Sequence, residues 1–287
     1  QLIDKGLHNT NNNNSNTITA QLMPLRTIKH PLSTTETDST IYPQLSSRDI
    51  LLVFFAMLLE VQIVVVASRF STILSLTEWF KSIIESCGMQ YAPIYAPIIS
   101  RSAASQIIGC PLPFCIGWYA PVPHSNPEVP PEVLVIDTEA KHETELTSSK
   151  CCIQTPSALL NIVNGHSTER SILHQLSLAI DDTIYSAAGT ENVDLMVSNI
   201  LQTFLLQVLQ CVEKCSFNCY SVNTMETTEP VDRNTLFDEL GYCTLTAAAI
   251  SKVYSMDTEV FLHTLCRTQT LSNYISSANS KSRDCKS

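Results

Sequence analysis

Cys211, Cys215 and Cys219 recur at intervals of four. On a helix they share one face, where thiolates could hold a metal ion or cluster. Zinc sites of this kind draw on a second Cys-x-x-Cys or a spaced His pair, and neither follows here. The three thiols therefore read as packing groups of a helical bundle. His263 and Cys266 share one helical turn, and Cys151-Cys152 is an adjacent pair in a polar stretch; neither spacing specifies a site. Asp181-Asp182 is a carboxylate pair set between apolar residues. It could serve acid/base chemistry or a metal, and it reads as the solvated face of a helix. No Gly-x-Ser-x-Gly elbow occurs, and no Cys sits in a protease-like sequence. Neither GxGxxG nor GxxxxGK[ST] is present, so no Gly-rich loop cradles a nucleotide. The expectation is no catalytic residue, no metal ligand and no cofactor.

Charge and cysteine usage narrow the class further. The formal net charge is -10, which disfavours nucleic acid as a partner. The eleven Cys are odd in number, and no signal peptide is recognisable. Reduced thiols in a cytoplasmic setting are expected. The sequence opens at Gln1 rather than Met, so the reading expects a portion upstream. A length of 287 residues suits one large or two ordinary domains.

The elements that would position any functional group are organised around Ile50 to Ser71, ILLVFFAMLLEVQIVVVASRFS. Its first run is rich in Leu, Phe, Ala and Met, which suit a helix. Ser46 or Ser47 can cap that helix, with Asp49 in its first turn. The second run, Ile-Val-Val-Val, is β-branched and favours a strand buried on both faces. A sharp turn at Glu60 to Gln62 is predicted between them. A rival reading takes Ile50 to Ala67 as a membrane span. Those 18 residues are near the lower limit for one, but Glu60 and Gln62 would sit at its centre, at a cost of several kcal/mol.

The remainder alternates. Ser71 can cap a second helix with Ile73, Leu76, Trp79, Phe80, Ile83 and Ile84 on one face. Ile94 to Ile99 reads as extended, Ser102 to Ile108 as a short helix ending at Gly109, and Phe114 to Tyr119 as a strand. Pro111, Pro113 and Gly117 read structurally: the prolines fix φ and the glycine allows close packing. Val133 to Ile136 is a further strand. Lys141 to Thr155 is polar, and a domain boundary is placed there. Beyond it, helices are predicted from Ser167 and from Thr190-Glu191, then a loop from Ser221 to Pro230. Helical segments follow at Leu236 to Tyr242, Leu245 to Tyr254 and Thr258 to Cys266, with Leu271 and Ile275 continuing the last pattern. Residues 1–45 are low in complexity, with only Ile18 to Leu25 able to form a strand. The expected fold is an α/β central module at 46–145, its mostly buried sheet flanked by helices, followed by an all-α module at 150–280.

Five segments, in order, resemble the DENN domain family. AMLLEVQIVVVASRFS (56–71) resembles the opening of its central segment. YAPIYAPII (91–99) resembles its Tyr-Ile-Pro-Val-Leu stretch, and QIIGCPLPFCIGW (106–118) its Pro-x-Pro-Phe-x-x-Gly signature. VLVIDTE (133–139) resembles the strand that ends in Asp. FLHTLCRTQTLSNYI (261–275) resembles the closing helix of the downstream segment, with Thr268 and Gln269 in place. The family's upstream longin-like segment is not recognisable. The resemblance implies a regulator of Rab-type small GTPases, an exchange factor acting in vesicle trafficking, without covalent catalysis. It implies a cytoplasmic protein that can associate peripherally with endomembranes and has no integral span. Two other readings stand beside it: a DENN-like scaffold without exchange activity, and a protein anchored through residues 50–67. In the family the GTPase lies against the central module, so the partner-binding candidates are Arg48, Asp49, Glu60, Gln62 and Arg69. Arg69 follows the central strand, where ligand-facing groups of open α/β sheets gather; an ordinary ion pair with Glu78 is the alternative use of its charge.

Overall fold

Ser46 starts the first helix as expected. Its hydroxyl accepts from the Asp49 amide, and the Asp49 carboxylate accepts from the Ser46 amide, a reciprocal capping box that opens α1, Ser47–Leu58. The computed structural model describes residues 45–120, 128–138, 151–164, 171–186, 193–223 and 259–284. All of these fall within one unit, Leu32–Ser287.

Helix α1 is buried on every side from Ile50 to Leu58, so it is a core helix and has no wet face. It stops in a Schellman-type turn. The Glu60 amide donates to the Met57 carbonyl at 3.3 Å, and the Val61 amide to the Ala56 carbonyl at 2.9 Å. Glu60 takes the left-handed conformation, φ 56°, at the position glycine usually fills. Strand β1, Ile63–Ala67, follows at once. Residues 50–67 are therefore helix, turn and strand, and not the single continuous helix that a membrane span requires. Among the described residues one 18-residue helical window, Val193–Gln210, is long and apolar enough to cross a membrane. Leu201, Phe204, Leu205, Val208 and Leu209 within it pack into the protein's own core, as in any buried helix of a globular fold.

After β1 come α2 (Phe70–Ser86), β2 (Ile94–Ile99), α3 (Arg101–Ile108), β3 (Phe114–Tyr119), β4 (Leu134–Asp137) and β5 (Cys152–Gln154). The sheet order is β2-β3-β1-β4-β5. Strand β1 pairs in parallel with both β3 and β4, β2 is parallel to β3, and only β5 is antiparallel. As the β-branched run requires, β1 is covered on both faces. Ile63, Val65 and Ala67 join the larger core beneath α1 and α2. Val64 and Val66 join a second core with Ala104, Phe114, Ile116 and Trp118. A five-stranded, mostly parallel sheet flanked by helices and followed by helices is the predicted class.

The helices that follow are α4 (Ser157–Asn164), α5 (Ile172–Ser186), α6 (Val193–Asn223), α7 (Glu259–Leu265) and α8 (Gln269–Asp284). Their apolar stripes complete the larger core. Phe55 of α1 sits edge-on to Phe204 of α6 at 5.9 Å and to Phe261 of α7 at 5.3 Å.

The structure corrects several expectations. Arg69, not Ser71, occupies the N-cap of α2, in extended conformation and without a side-chain cap. The polar stretch to Thr155 contains β5, and α4 precedes the helix placed from Ser167. The amide of His174 takes the Ser171 hydroxyl as its acceptor, so Ser171 caps α5. Helix α6 runs through Ser221 to Asn223, where a loop was expected. The segments Leu236 to Tyr242 and Leu245 to Tyr254, and Ile18 to Leu25, lie outside the described residues.

Candidate partner-binding surface

The parallel strands end together at one edge of the sheet. The Ala120 amide donates to the Ala67 carbonyl at 3.0 Å, and the Thr138 amide and hydroxyl both donate to the Val66 carbonyl. These bonds fix where the chain leaves β1, β3 and β4. Beyond β1, Arg69 is exposed and makes no ion pair among the described residues. Glu78 instead accepts the Tyr95 hydroxyl at 2.9 Å, so the Arg69–Glu78 pair weighed as the alternative is not formed.

The next residue, Phe70, stacks on Tyr119 at the end of β3, with ring centroids 4.0 Å apart and planes 24° from parallel. The β1–β3 register sets Ala67 against Tyr119, which brings the two rings together. Both remain open to solvent, Phe70 at 47% and Tyr119 at 37%. An exposed aromatic pair beside an unpaired guanidinium has the composition of interface hot spots. Ligand-facing groups of open α/β sheets gather at this carboxyl edge.

Of the five sequence candidates, Arg69 alone belongs to this edge. Glu60 and Gln62 lie at the opposite end of β1, about 13 Å away for a five-residue strand, and their side chains are engaged within the chain. The Glu60 carboxylate accepts the amide and the hydroxyl of Thr270, each at 2.7 Å. Thr270 is fully buried, in the first turn of α8, and its hydroxyl also accepts the Ala92 amide. A carboxylate at a helix N-terminus is favoured by the macrodipole. Gln62 donates to the carbonyls of Cys110 and Leu112 at 2.8 and 3.1 Å, tying β1 to the turn that enters β3. Asp49 belongs to the cap of α1, and Arg48 beside it is exposed.

Several of the remaining chemistry-bearing residues have structural partners or lie in the core. Asp181 accepts the hydroxyl of Ser47, which joins α5 to the start of α1. Cys151 is buried in the larger core. Burial pushes the Cys115 thiol up to about 12 and the Cys87 thiol up to about 11, which keeps both protonated and poorly nucleophilic. Desolvation also raises the Tyr91 phenol well above its ordinary range, with Cys115 and Glu60 adding repulsion. Among the described residues no group of three or more His, Cys, Asp or Glu is placed to hold a metal ion. Cys211, Cys215 and Cys219 lie on α6, and their side chains fall outside the described residues.

The Phe70–Tyr119 pair was missed by the sequence reading. The pairing of β1 with β3 was the only available signal, through the likeness of both runs to central strands. No curated protein matches the sequence. The family model of the DENN (AEX-3) domain matches residues 5–141, a stretch that spans the whole parallel part of the sheet and begins within the segment read as low in complexity. Over residues 5–141 the chain is similar to the DENN (AEX-3) domain family, the family that its sequence segments resemble.

Proposed function

We propose that the protein regulates a Rab-type small GTPase as a guanine-nucleotide exchange factor in vesicle trafficking. The DENN match over residues 5–141 carries this reading. The exposed Arg69, Phe70 and Tyr119 supply a surface of the right composition for a protein partner. Exchange needs no covalent chemistry. A factor that binds the nucleotide-free GTPase more tightly than the loaded form must, by linkage, weaken nucleotide binding by the same factor. The work is done by differential contacts, in a cytoplasmic protein with peripheral access to endomembranes.

The test is release of a fluorescent guanine nucleotide from a panel of Rab proteins in the presence of the chain. Accelerated release from at least one member is expected. No acceleration with any member overturns exchange, and binding without acceleration identifies a scaffold or regulatory subunit instead. Cell fractionation with carbonate extraction checks the localisation; retention in the extracted membrane overturns the peripheral assignment.

A further inference from the structure

The exposed end of α5 carries a second feature, remote from the carboxyl edge of the sheet. Tyr185 is 87% exposed, the most exposed of the large apolar and aromatic side chains described. It sits in the last turn of α5, next to Ser186, where helix ends fray readily. Its hydroxyl makes no hydrogen bond among the described residues. The neighbouring hydroxyls of Thr183 and Ser186 instead donate back to the carbonyls of Ala179 and Asp182. Other described tyrosines are less accessible: Tyr91 is buried, Tyr95 is bonded through its hydroxyl to Glu78, Tyr119 is stacked on Phe70, and Tyr274 is half-buried against the core.

The residues before Tyr185 are Asp181-Asp182-Thr183-Ile184. Both carboxylates are exposed, on the turn of helix just before the phenol. Ile184 packs against the core, so the chain presents the Asp182 carboxylate and the phenol outward while the aliphatic neighbour anchors it; Asp181, also exposed, accepts the Ser47 hydroxyl. A basic substrate groove complements that arrangement.

We propose that Tyr185 is a phosphoacceptor for a tyrosine kinase with a basic substrate groove, and that the added phosphate loosens the last turn of α5 from the start of α1. The γ-phosphoryl group of a nucleoside triphosphate is transferred to the phenolic oxygen. The bond between the γ-phosphorus and the β–γ bridging oxygen breaks, its electron pair leaves with the nucleoside diphosphate, and the phenolic proton passes to the kinase base. The product carries nearly two negative charges at the carboxyl end of a helix, where the macrodipole opposes an anion. Asp182 and Asp181 stand three and four residues before it, on the same side, as like charges. Asp181 is also the acceptor for Ser47 at the start of α1, so repulsion at this turn acts directly on the contact between the two helices.

The experiment treats the full chain with a purified tyrosine kinase that accepts acidic peptides, with ATP and Mg2+. Wild type is compared with Tyr185→Phe and Asp182→Asn, followed by peptide mapping and hydrogen exchange. Phosphate on Tyr185 is expected, with total incorporation severalfold lower in Tyr185→Phe and slower incorporation in Asp182→Asn. In the phosphorylated protein, amides 182–186 should exchange about tenfold faster. Absence of phosphate on Tyr185 overturns the site, and an unchanged rate in Asp182→Asn overturns its recognition through the carboxylates. Arg48 follows Ser47 and is exposed. Capture of the phosphate by its guanidinium would slow exchange in α5, and slowed or unchanged exchange overturns the proposed loosening.

Discussion

Glu60 holds a conformation that glycine adopts with less strain, and the reason lies 210 residues away. A non-glycine residue in the left-handed region costs about 1–2 kcal/mol. Its carboxylate offsets that cost by accepting two hydrogen bonds from buried Thr270. Truncation leaves the Thr270 amide unpaired in the core, so Glu60→Ala should lose about 2–3 kcal/mol of stability. Glu60→Gly loses the same bonds but relieves the strain. It should therefore be the more stable of the two by about 1 kcal/mol, reversing the usual ranking of Ala and Gly. Denaturant unfolding of both variants checks the order, and a Gly variant no better than the Ala variant would refute the strain argument. Arg69 sits in the opposite regime: exposed, extended at the head of α2 and without a capping bond. Arg69→Ala should leave the melting temperature within a few degrees while weakening partner binding by about 1–2 kcal/mol. Phe70→Ala should do likewise. Unchanged affinity in titrations of both variants would remove the carboxyl edge from the interface.

At the scale of elements, the sheet depends on one close approach. A Cβ on Gly117 would lie 1.7 Å from the Pro97 carbonyl oxygen and 2.2 Å from a methyl of Ile73. The β2–β3 pairing shifts register between Ala96 and Ile99, and this irregularity, which contains Pro97, sets the carbonyl against the glycine. Since the obstacle is partly backbone, rotamer changes cannot relieve it. Gly117→Ala should cost about 3 kcal/mol or more, read by thermal or denaturant unfolding. Gly109→Ala, whose nearest atoms are 3.8 Å away, should stay within about 0.5 kcal/mol; equal losses would contradict the account. What was legible in the sequence follows the same logic of local signals. Helix α1, its turn and β1 were readable because residue chemistry changes abruptly at Glu60 and the Ser46 cap is a short-range pattern. Strand β5 was not: three residues, Cys-Ile-Gln, carry no periodicity, and its place is set by β4 across the sheet. Helix α4 was masked by the polar residues before it, although Leu159, Leu160 and Val163 follow Pro156 and Ser157 in helical spacing. The site divided in the same way. Arg69 was singled out because it follows a recognisable strand. The Phe70–Tyr119 stack and the Glu60–Thr270 contact were not, because tertiary pairing creates them between distant parts of the chain.

For the molecule as a whole, the larger core crosses the boundary drawn at the polar stretch. Phe54 and Phe55 of α1 meet Phe204 and Phe261 of the later helices, and Cys87 of the α2–β2 turn lies close to the Gln202 carbonyl of α6 at 3.8 Å. Cys87 and Cys115 are among the cysteines buried in this shared interior, and they contribute to how the protein responds to alkali. An unfolded thiol ionises at its ordinary value of 9.0, whereas burial raises Cys87 to about 11 and Cys115 to about 12. Between those limits the unfolded chain has released protons that the folded one retains. Stability therefore falls with rising pH there. The contribution of these groups is full below pH 9 and lost as pH climbs through 11 and 12. Melting curves should be nearly flat from pH 7 to about 8.5 and decline steeply above 9. Cys115→Ala creates a small cavity and starts from lower stability, so absolute melting temperatures do not decide the matter. The slope does: with one buried thiol removed, the decline between pH 9 and 11 should be shallower than in the wild type. The Tyr91 and Tyr95 phenols, raised chiefly by desolvation and to a lesser degree by Cys115, remain in both proteins, so the main part of their contribution to the slope is common to the two. A variant whose slope matches the wild type would show that Cys115 does not hold its proton more tightly in the folded state.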